Sequence, residues 1–224
     1  MLTDTIYGAP PVDLGLIDLS PVEMMFWLYC PIKLPGMQSV SAPDNLVQFQ
    51  PLWERARSDC ADRWGDSYIY ITAKTLWATP ENPGNRPGWH SDGFLTDDLN
   101  YIWCDANPTV FFEDGNRHAF TADHTASLAE MDDLCHRRSA HYRTYPVKHL
   151  LRLDQTVLHK VETGITPGLR TFVKVSVSCH RYALRGNSIN YELARDWIYQ
   201  DRAEERNCPI GISKVKLTAL GTDT

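Results

Sequence analysis

The chain has 224 residues, a formal net charge of −6, and 43% hydrophobic against 22% charged residues. That length supports one domain, 1–224, with a substantial core, and the composition excludes a mainly disordered chain. The acidic balance gives no general attraction to phosphate backbones, so affinity for nucleic acid would need a local basic patch.

Residues 1–45 are interrupted by Pro10, Pro11, Pro21, Pro31, Pro35 and Pro43, and each proline fixes φ and removes a backbone donor. The expectation is an irregular N-terminal arm laid over a core and anchored by Met24, Phe26, Trp27 and Tyr29, whose apolar surface gains by docking. A helix is predicted over 47–63. Residues 67–77 (SYIYITAKTLW) have the β-branched and aromatic content of a strand. The loop 79–88 follows, rich in Pro and Gly, and delivers the chain to Trp89-His90-Ser91-Asp92-Gly93.

Short strands are predicted at 100–104 and 109–113, on either side of the turn-forming run Asp105-Ala106-Asn107-Pro108. A helical insertion over 125–138 interrupts the series, and 147–153, 156–161 and 170–178 return to strand character. A closing helix is predicted over 190–206, within a C-terminal helix and tail at 187–224. The pattern predicts a mainly β fold with flanking helices, a sandwich or barrel whose core spans 46–180.

The stretch 136–152 carries Arg137, Arg138, Arg143, Lys148 and Arg152 with no acid among them. It reads as a solvated face, while leaving a basic rim for nucleic acid open. The six cysteines, Cys30, Cys60, Cys104, Cys135, Cys179 and Cys208, contain no CxxC pair and are expected to be reduced and mostly buried. With no leader-like N-terminus and no apolar run long enough to span a bilayer, a cytoplasmic location and no membrane partner are expected.

Two imidazoles and one carboxylate on one face of a metal leave coordination positions open, the arrangement non-haem Fe(II) oxygenases need. In an extended segment, residues two apart point to the same side, so His90 and Asp92, the only HxD in the chain, can share one ion. The second element is the hairpin formed by 156–161 and 169–178 across Thr166-Pro167-Gly168. There His159 ends one strand and Arg170, eleven positions on, begins the return. An Arg near but not on the metal suits the far carboxylate of a dicarboxylate. Phe172 and Lys174 share the Arg170 face, and a salt bridge is expected of Lys174.

His90, Asp92, His159 and Arg170 together resemble the pattern of the Fe(II)/2-oxoglutarate-dependent oxygenase superfamily, over a match running from 67 to 178. The resemblance implies a double-stranded β-helix, a jelly-roll or cupin-like barrel. It also implies Fe(II) held by His90, Asp92 and His159, and 2-oxoglutarate anchored by Arg170. The implied activity is hydroxylation of a small molecule or side chain, with release of succinate and CO2. Many members place Ser two residues after the anchor, where this chain has Phe172.

Alternation along the flanking strands makes Tyr68, Tyr70 and Thr72, or Tyr101 and Trp103, candidate cavity residues, with Trp89 a candidate cover for the site. The arm and the 125–138 insertion are expected to border the substrate entrance. Two other readings remain: a metal hydrolase using the same three ligands, and a non-catalytic β-barrel for binding or assembly.

Overall fold

The computed structural model describes Leu2 and residues 5–201. Period-two alternation of apolar and polar residues builds its larger sheet. The strands in chain order are β1 (Val12–Leu16), β2 (Met25–Lys33), β3 (Tyr68–Ala78), β4 (His90–Ser91), β5 (Leu99–Cys104), β6 (Val110–Phe112), β7 (Tyr142–Thr144), β8 (His149–Leu153), β9 (Leu158–Lys160) and β10 (Gly168–Ser178). One sheet has the order β1-β8-β5-β10-β3-β2 and the other β4-β9-β6-β7. All their pairings are antiparallel. From β3 onward the chain passes repeatedly between the two sheets.

The strand β10 lies between β3 and β5 and pairs with β3 along its whole length, Gly168 opposite Ala78 and Ser178 opposite Tyr68. Side chains of successive strand residues point to opposite faces. Ile69, Ile71 and Ala73 of β3, Tyr101 and Trp103 of β5, and Val173, Val175 and Val177 of β10 therefore share one face. They pack on Leu52, Trp53 and Ala56 of α1 (Gln50–Asp59). The opposite face carries Thr72 and Lys74, Ile102, and Phe172 and Lys174, which border a cavity.

The helix predicted over 47–63 is instead a 3₁₀ turn at Asp44–Phe49, then α1, then the short α2 (Ala61–Trp64). The insertion is α3 (His124–Arg137), capped by the Asp123 carboxylate accepting from Ala126 N at 2.8 Å. Such a cap contributes about 1 kcal/mol.

Two expectations are corrected. The arm is not irregular, because β1 and β2 add the two edge strands of the larger sheet. Pro31 fits within β2 because an edge strand leaves one row of backbone groups unpaired. The closing helix does not form over 190–201, where the chain makes turns. Asn190 there donates to Pro31 O at 2.9 Å and Ser41 O at 2.7 Å, while its own Oδ1 accepts from Glu192 N. That local bonding competes with a helical start. Residues 202–206 of the expected helix lie outside the described residues.

The register of β2 on β3 shifts between Trp27 and Cys30, and Tyr29 has φ +47°. This is a β-bulge, which re-aims a side chain at an edge. Its backbone donors remain satisfied, Leu28 N by Ser188 Oγ at 2.9 Å and Tyr29 N by Thr72 Oγ1 at 3.0 Å.

Among the described cysteines, Cys30, Cys60, Cys104 and Cys135 are buried and free, and Cys179 is exposed and free. The basic run is largely neutralised locally by the pairs Arg137–Asp133, Arg138–Asp114, Lys148–Asp18 and Arg152–Asp59. No described helix is long and apolar enough to cross a membrane.

Candidate metal centre

The two-residue strand β4 begins at His90 and pairs with β9, putting His90 directly opposite His159. Cross-strand neighbours stand close enough for their side chains to interact, and the two imidazole centroids are 4.4 Å apart. Asp92 follows β4 and turns its carboxylate to the same spot, with Oδ2 3.8 Å from His159 Nε2. One donor atom from each of His90, Asp92 and His159 lies within 4.8 Å of the others.

The tautomers are set by the backbone. His90 Nδ1 donates to Gly88 O at 2.9 Å and His159 Nδ1 donates to Val157 O at 3.3 Å. Each Nε2 is therefore left as a lone-pair donor, the second-layer arrangement that orients metal-binding histidines. Burial lowers the pKa of His90, and burial together with His90 holds His159 down to about 3, so both rings are neutral near pH 7. Asp92 is held well below the usual carboxylate range: burial opposes its charge, but the cationic neighbour Lys174 overrides it. Two neutral imidazoles and an ionised carboxylate form a donor set that fits a divalent cation of intermediate softness.

Lys174 Nζ donates to Asp92 Oδ2 at 2.9 Å and to Tyr29 Oη at 3.1 Å. The expected salt bridge thus exists, and its partner is the central carboxylate. Tyr29 reaches this point because of the bulge in β2, a contribution from the arm that residue types alone gave no means of seeing.

A cavity of about 470 Å³ opens on the triad, lined in part by His90, Asp92, His159, Lys174, Thr72 and Lys74. Phe26, Leu28 and Tyr29 of the arm line it as well, so the arm borders the site as expected. No residue of 125–138 is in that lining. His124, which opens α3, instead borders a smaller void of about 40 Å³ beside Asp92 and Tyr182. Of the residues singled out before HxD, Thr72 lines the main cavity, while Tyr70 binds His180 O and Tyr182 N with its hydroxyl. Tyr68 stacks on Tyr70.

Trp89, Tyr101 and Trp103 do not line the cavity. Trp89 packs on Tyr142 at 4.7 Å between centroids, under Lys160 Nζ. Tyr101 and Trp103 lie on the α1 face of β5: the tyrosine hydroxyl donates to Asp59, and Trp103 Nε1 donates to Ile17 O and Lys148 O. Alternation grouped them correctly but carried no information on which face was which.

Arg170 is 2% exposed, and its Nε donates to Ala106 O at 3.0 Å and Asn107 O at 3.2 Å, bracing the β5–β6 turn. Its guanidinium lies over the Phe172 ring, 5.3 Å from the centroid. Phe172 borders the cavity, whereas Arg170 is not in its lining and keeps its Nη2 buried without a hydrogen-bond partner. Lys74 was not singled out in the sequence. Its signal was a lone charge on the Tyr70–Thr72 face of an otherwise apolar and hydroxylic strand.

Antiparallel β-sheets that bring a His/Asp/His cluster to the wall of a cavity also lined by Lys74 and Lys174 define a candidate metal-binding site. Among solved structures, the chain is similar to an oxidoreductase of the 2OG-Fe(II) oxygenase family from Burkholderia pseudomallei, with TM-score 0.40 and 10% identity, over 77% of this chain and 74% of that one. It is also similar to a full-length Neurospora crassa protein solved in complex with alpha-KG, with TM-score 0.32 and 10% identity, over 60% of this chain and 49% of that one. No family model matches the chain, and no curated protein matches it by sequence.

Proposed function

We propose that this chain is a non-haem Fe(II), 2-oxoglutarate-dependent oxygenase, with His90, Asp92 and His159 as the metal ligands. The observation that carries the reading is the convergence of one donor atom from each within 4.8 Å, at the wall of a cavity of about 470 Å³. Three protein ligands on one side leave the cavity side of the ion free for exchangeable ligands. The strand order supports the double-stranded β-helix: β3-β10-β5-β8 in one sheet and β4-β9-β6-β7 in the other, with the chain passing between them.

When bound, the iron and co-substrate would supply the oxidation of a substrate, coupled to conversion of 2-oxoglutarate to succinate and CO2. The chain's own part is to present two neutral imidazoles through their Nε2 atoms, to keep Asp92 ionised through Lys174, and to surround the site with Thr72, Ile102 and Phe172. The keto acid end of 2-oxoglutarate would lie at the triad, and its far carboxylate would meet a cation on the β3/β10 face. A metal hydrolase would use the same three ligands but has no need of a cationic cavity wall.

The test is anaerobic addition of Fe(II) and 2-oxoglutarate to the purified protein. The expected result is a weak visible charge-transfer band that His159→Ala abolishes. Stoichiometric Fe(II) binding without any band or any 2-oxoglutarate binding would reject the oxygenase reading while leaving a metal site.

A further inference from the structure

We propose that Lys74, rather than Arg170, holds the far carboxylate of the dicarboxylate co-substrate. The inference rests on the oxygenase reading above and departs from the anchor position which the sequence pattern implies.

Position along the sheet is the first argument. Lys174 marks the metal end of the shared face, because its ammonium is 2.9 Å from Asp92 Oδ2. Lys174 lies opposite Thr72, and Phe172 lies opposite Lys74. Lys74 is therefore one same-face step from the Lys174 rung, about 7 Å along the strands, whereas Arg170 is two steps away, about 13 Å. A five-carbon diacid chelating the metal through one end reaches the nearer rung with its other end more readily than the farther one.

Access is the second argument. The Arg170 guanidinium stacks on the Phe172 ring and its Nε is committed to two loop carbonyls, while its Nη2 is buried without a hydrogen-bond partner. Lys74 lines the cavity, as Arg170 does not.

Charge is the third argument. Lys74 Nζ is bonded only to neutral acceptors, Gly84 O at 3.2 Å and Asn85 Oδ1 at 3.4 Å. Among the described residues no carboxylate lies within salt-bridge distance of it, and the nearby Asp92 is taken by Lys174. A half-buried ammonium without a counter-ion is costly, and burial together with Lys174 and Arg170 lowers this one to about 8. A bound carboxylate supplies the missing charge. Lys74 Nζ also lies 5.4 Å from the centroid of the Phe26 ring, which lines the same cavity. Of the other cations on the cavity wall, Lys160 stands over the rings of Trp89 and Tyr142, neither of which lines it, and Arg86 is on the exposed loop before HxD.

The test compares wild type, Lys74→Gln, Lys74→Arg and Arg170→Gln, each loaded anaerobically with Fe(II), by calorimetric titration with 2-oxoglutarate and with pyruvate, which keeps the keto acid but lacks the second carboxylate. Lys74→Gln is expected to weaken 2-oxoglutarate binding by roughly 10- to 100-fold, the loss of one hydrogen-bonded charge pair. Its affinity for Fe(II) and for pyruvate should stay unchanged, and Lys74→Arg should restore most of the preference for 2-oxoglutarate over pyruvate. Arg170→Gln should lower the melting temperature and leave that preference intact. If wild type prefers 2-oxoglutarate and Lys74→Gln keeps the preference, or if Arg170→Gln loses it, this assignment fails and the oxygenase reading survives. If metal-loaded wild type binds neither keto acid, both fail together.

Discussion

Lys174 Nζ sits 2.9 Å from Asp92 Oδ2, so the carboxylate at the centre of the site already has a cation before any metal arrives. Both side chains are mostly buried, at 9% and 16% exposure. Removing one member of such a pair leaves an uncompensated buried charge, which costs far more than an exposed pair is worth. Lys174→Met should therefore destabilise the metal-free protein by on the order of 3 kcal/mol, a fall of roughly 6–12 °C in melting temperature. Saturating Mn(II), a divalent partner for Asp92, should recover most of that loss. A variant as stable as wild type without metal would show that the pair carries no such role.

Protons should oppose the fold at the same place. The folded protein keeps His159 near 3 and His90 below its ordinary value, whereas both bind protons near 6.5 in the unfolded chain. Their contribution is fully present above the unfolded pKa and is lost as pH falls through 6.5 toward 3. The slope is up to about 1.4 kcal/mol per pH unit for each ring. Urea midpoints of the metal-free protein at pH 7.5, 6 and 5 should fall in that order, and His159→Gln should flatten the decline. Parallel declines in the two proteins would assign the pH effect elsewhere.

Gly93 follows Asp92 with φ +73°, and a Cβ placed there would lie 3.0 Å from Thr96 Oγ1 and 3.2 Å from Asp98 Cβ. The turn it makes is held by Thr96, whose N and Oγ1 both donate to Gly93 O at 2.8 Å. Gly93→Ala should cost roughly 1–3 kcal/mol and displace Asp92. Calorimetry on the folded variant should show Mn(II) binding weakened several-fold. A melt and a titration matching wild type would mean that the turn tolerates a side chain without moving the ligand.

Trp103 provides the complementary case. Its indole N–H serves Ile17 O at 2.9 Å and Lys148 O at 3.0 Å, and Trp103 is not among the residues that line the cavity. Trp103→Phe should cost about 1–3 kcal/mol, because Ile17 O loses its indole donor, whereas Lys148 O still accepts from Ile17 N at 2.8 Å. Affinity for metal and for 2-oxoglutarate should not change. A selective loss of ligand binding at wild-type stability would return Trp103 to the site.

The expected hairpin of 156–161 with 169–178 does not form: β9 pairs with β4 and β6 in one sheet and β10 with β3 and β5 in the other, so His159 meets His90 across β4 and β9. The pairing of His90 with Asp92 was legible because residues two apart on an extended segment share a side. The strands β3, β5, β6, β8, β9 and β10 were legible from β-branched and aromatic content between turn-forming runs. The edge strands of the arm were hidden by their prolines, which forbid a central strand but not an outer one. The turns at 190–201 were hidden because helical composition there yields to the side-chain bonds of Asn190. The roles of Lys74 and Tyr29 depend on which face of a sheet looks inward and on a bulge. Neither is encoded by residue type.

The position of β10 has a consequence for assembly. The middle strand of the larger sheet is synthesised after every strand it touches, and it alone brings Lys174 to Asp92. Until that late insertion the sheet is divided into two unjoined halves, and closing them requires contacts across roughly a hundred residues of chain, which slows folding. Refolding from denaturant should accordingly recover helical signal early and capture of the metal ion last.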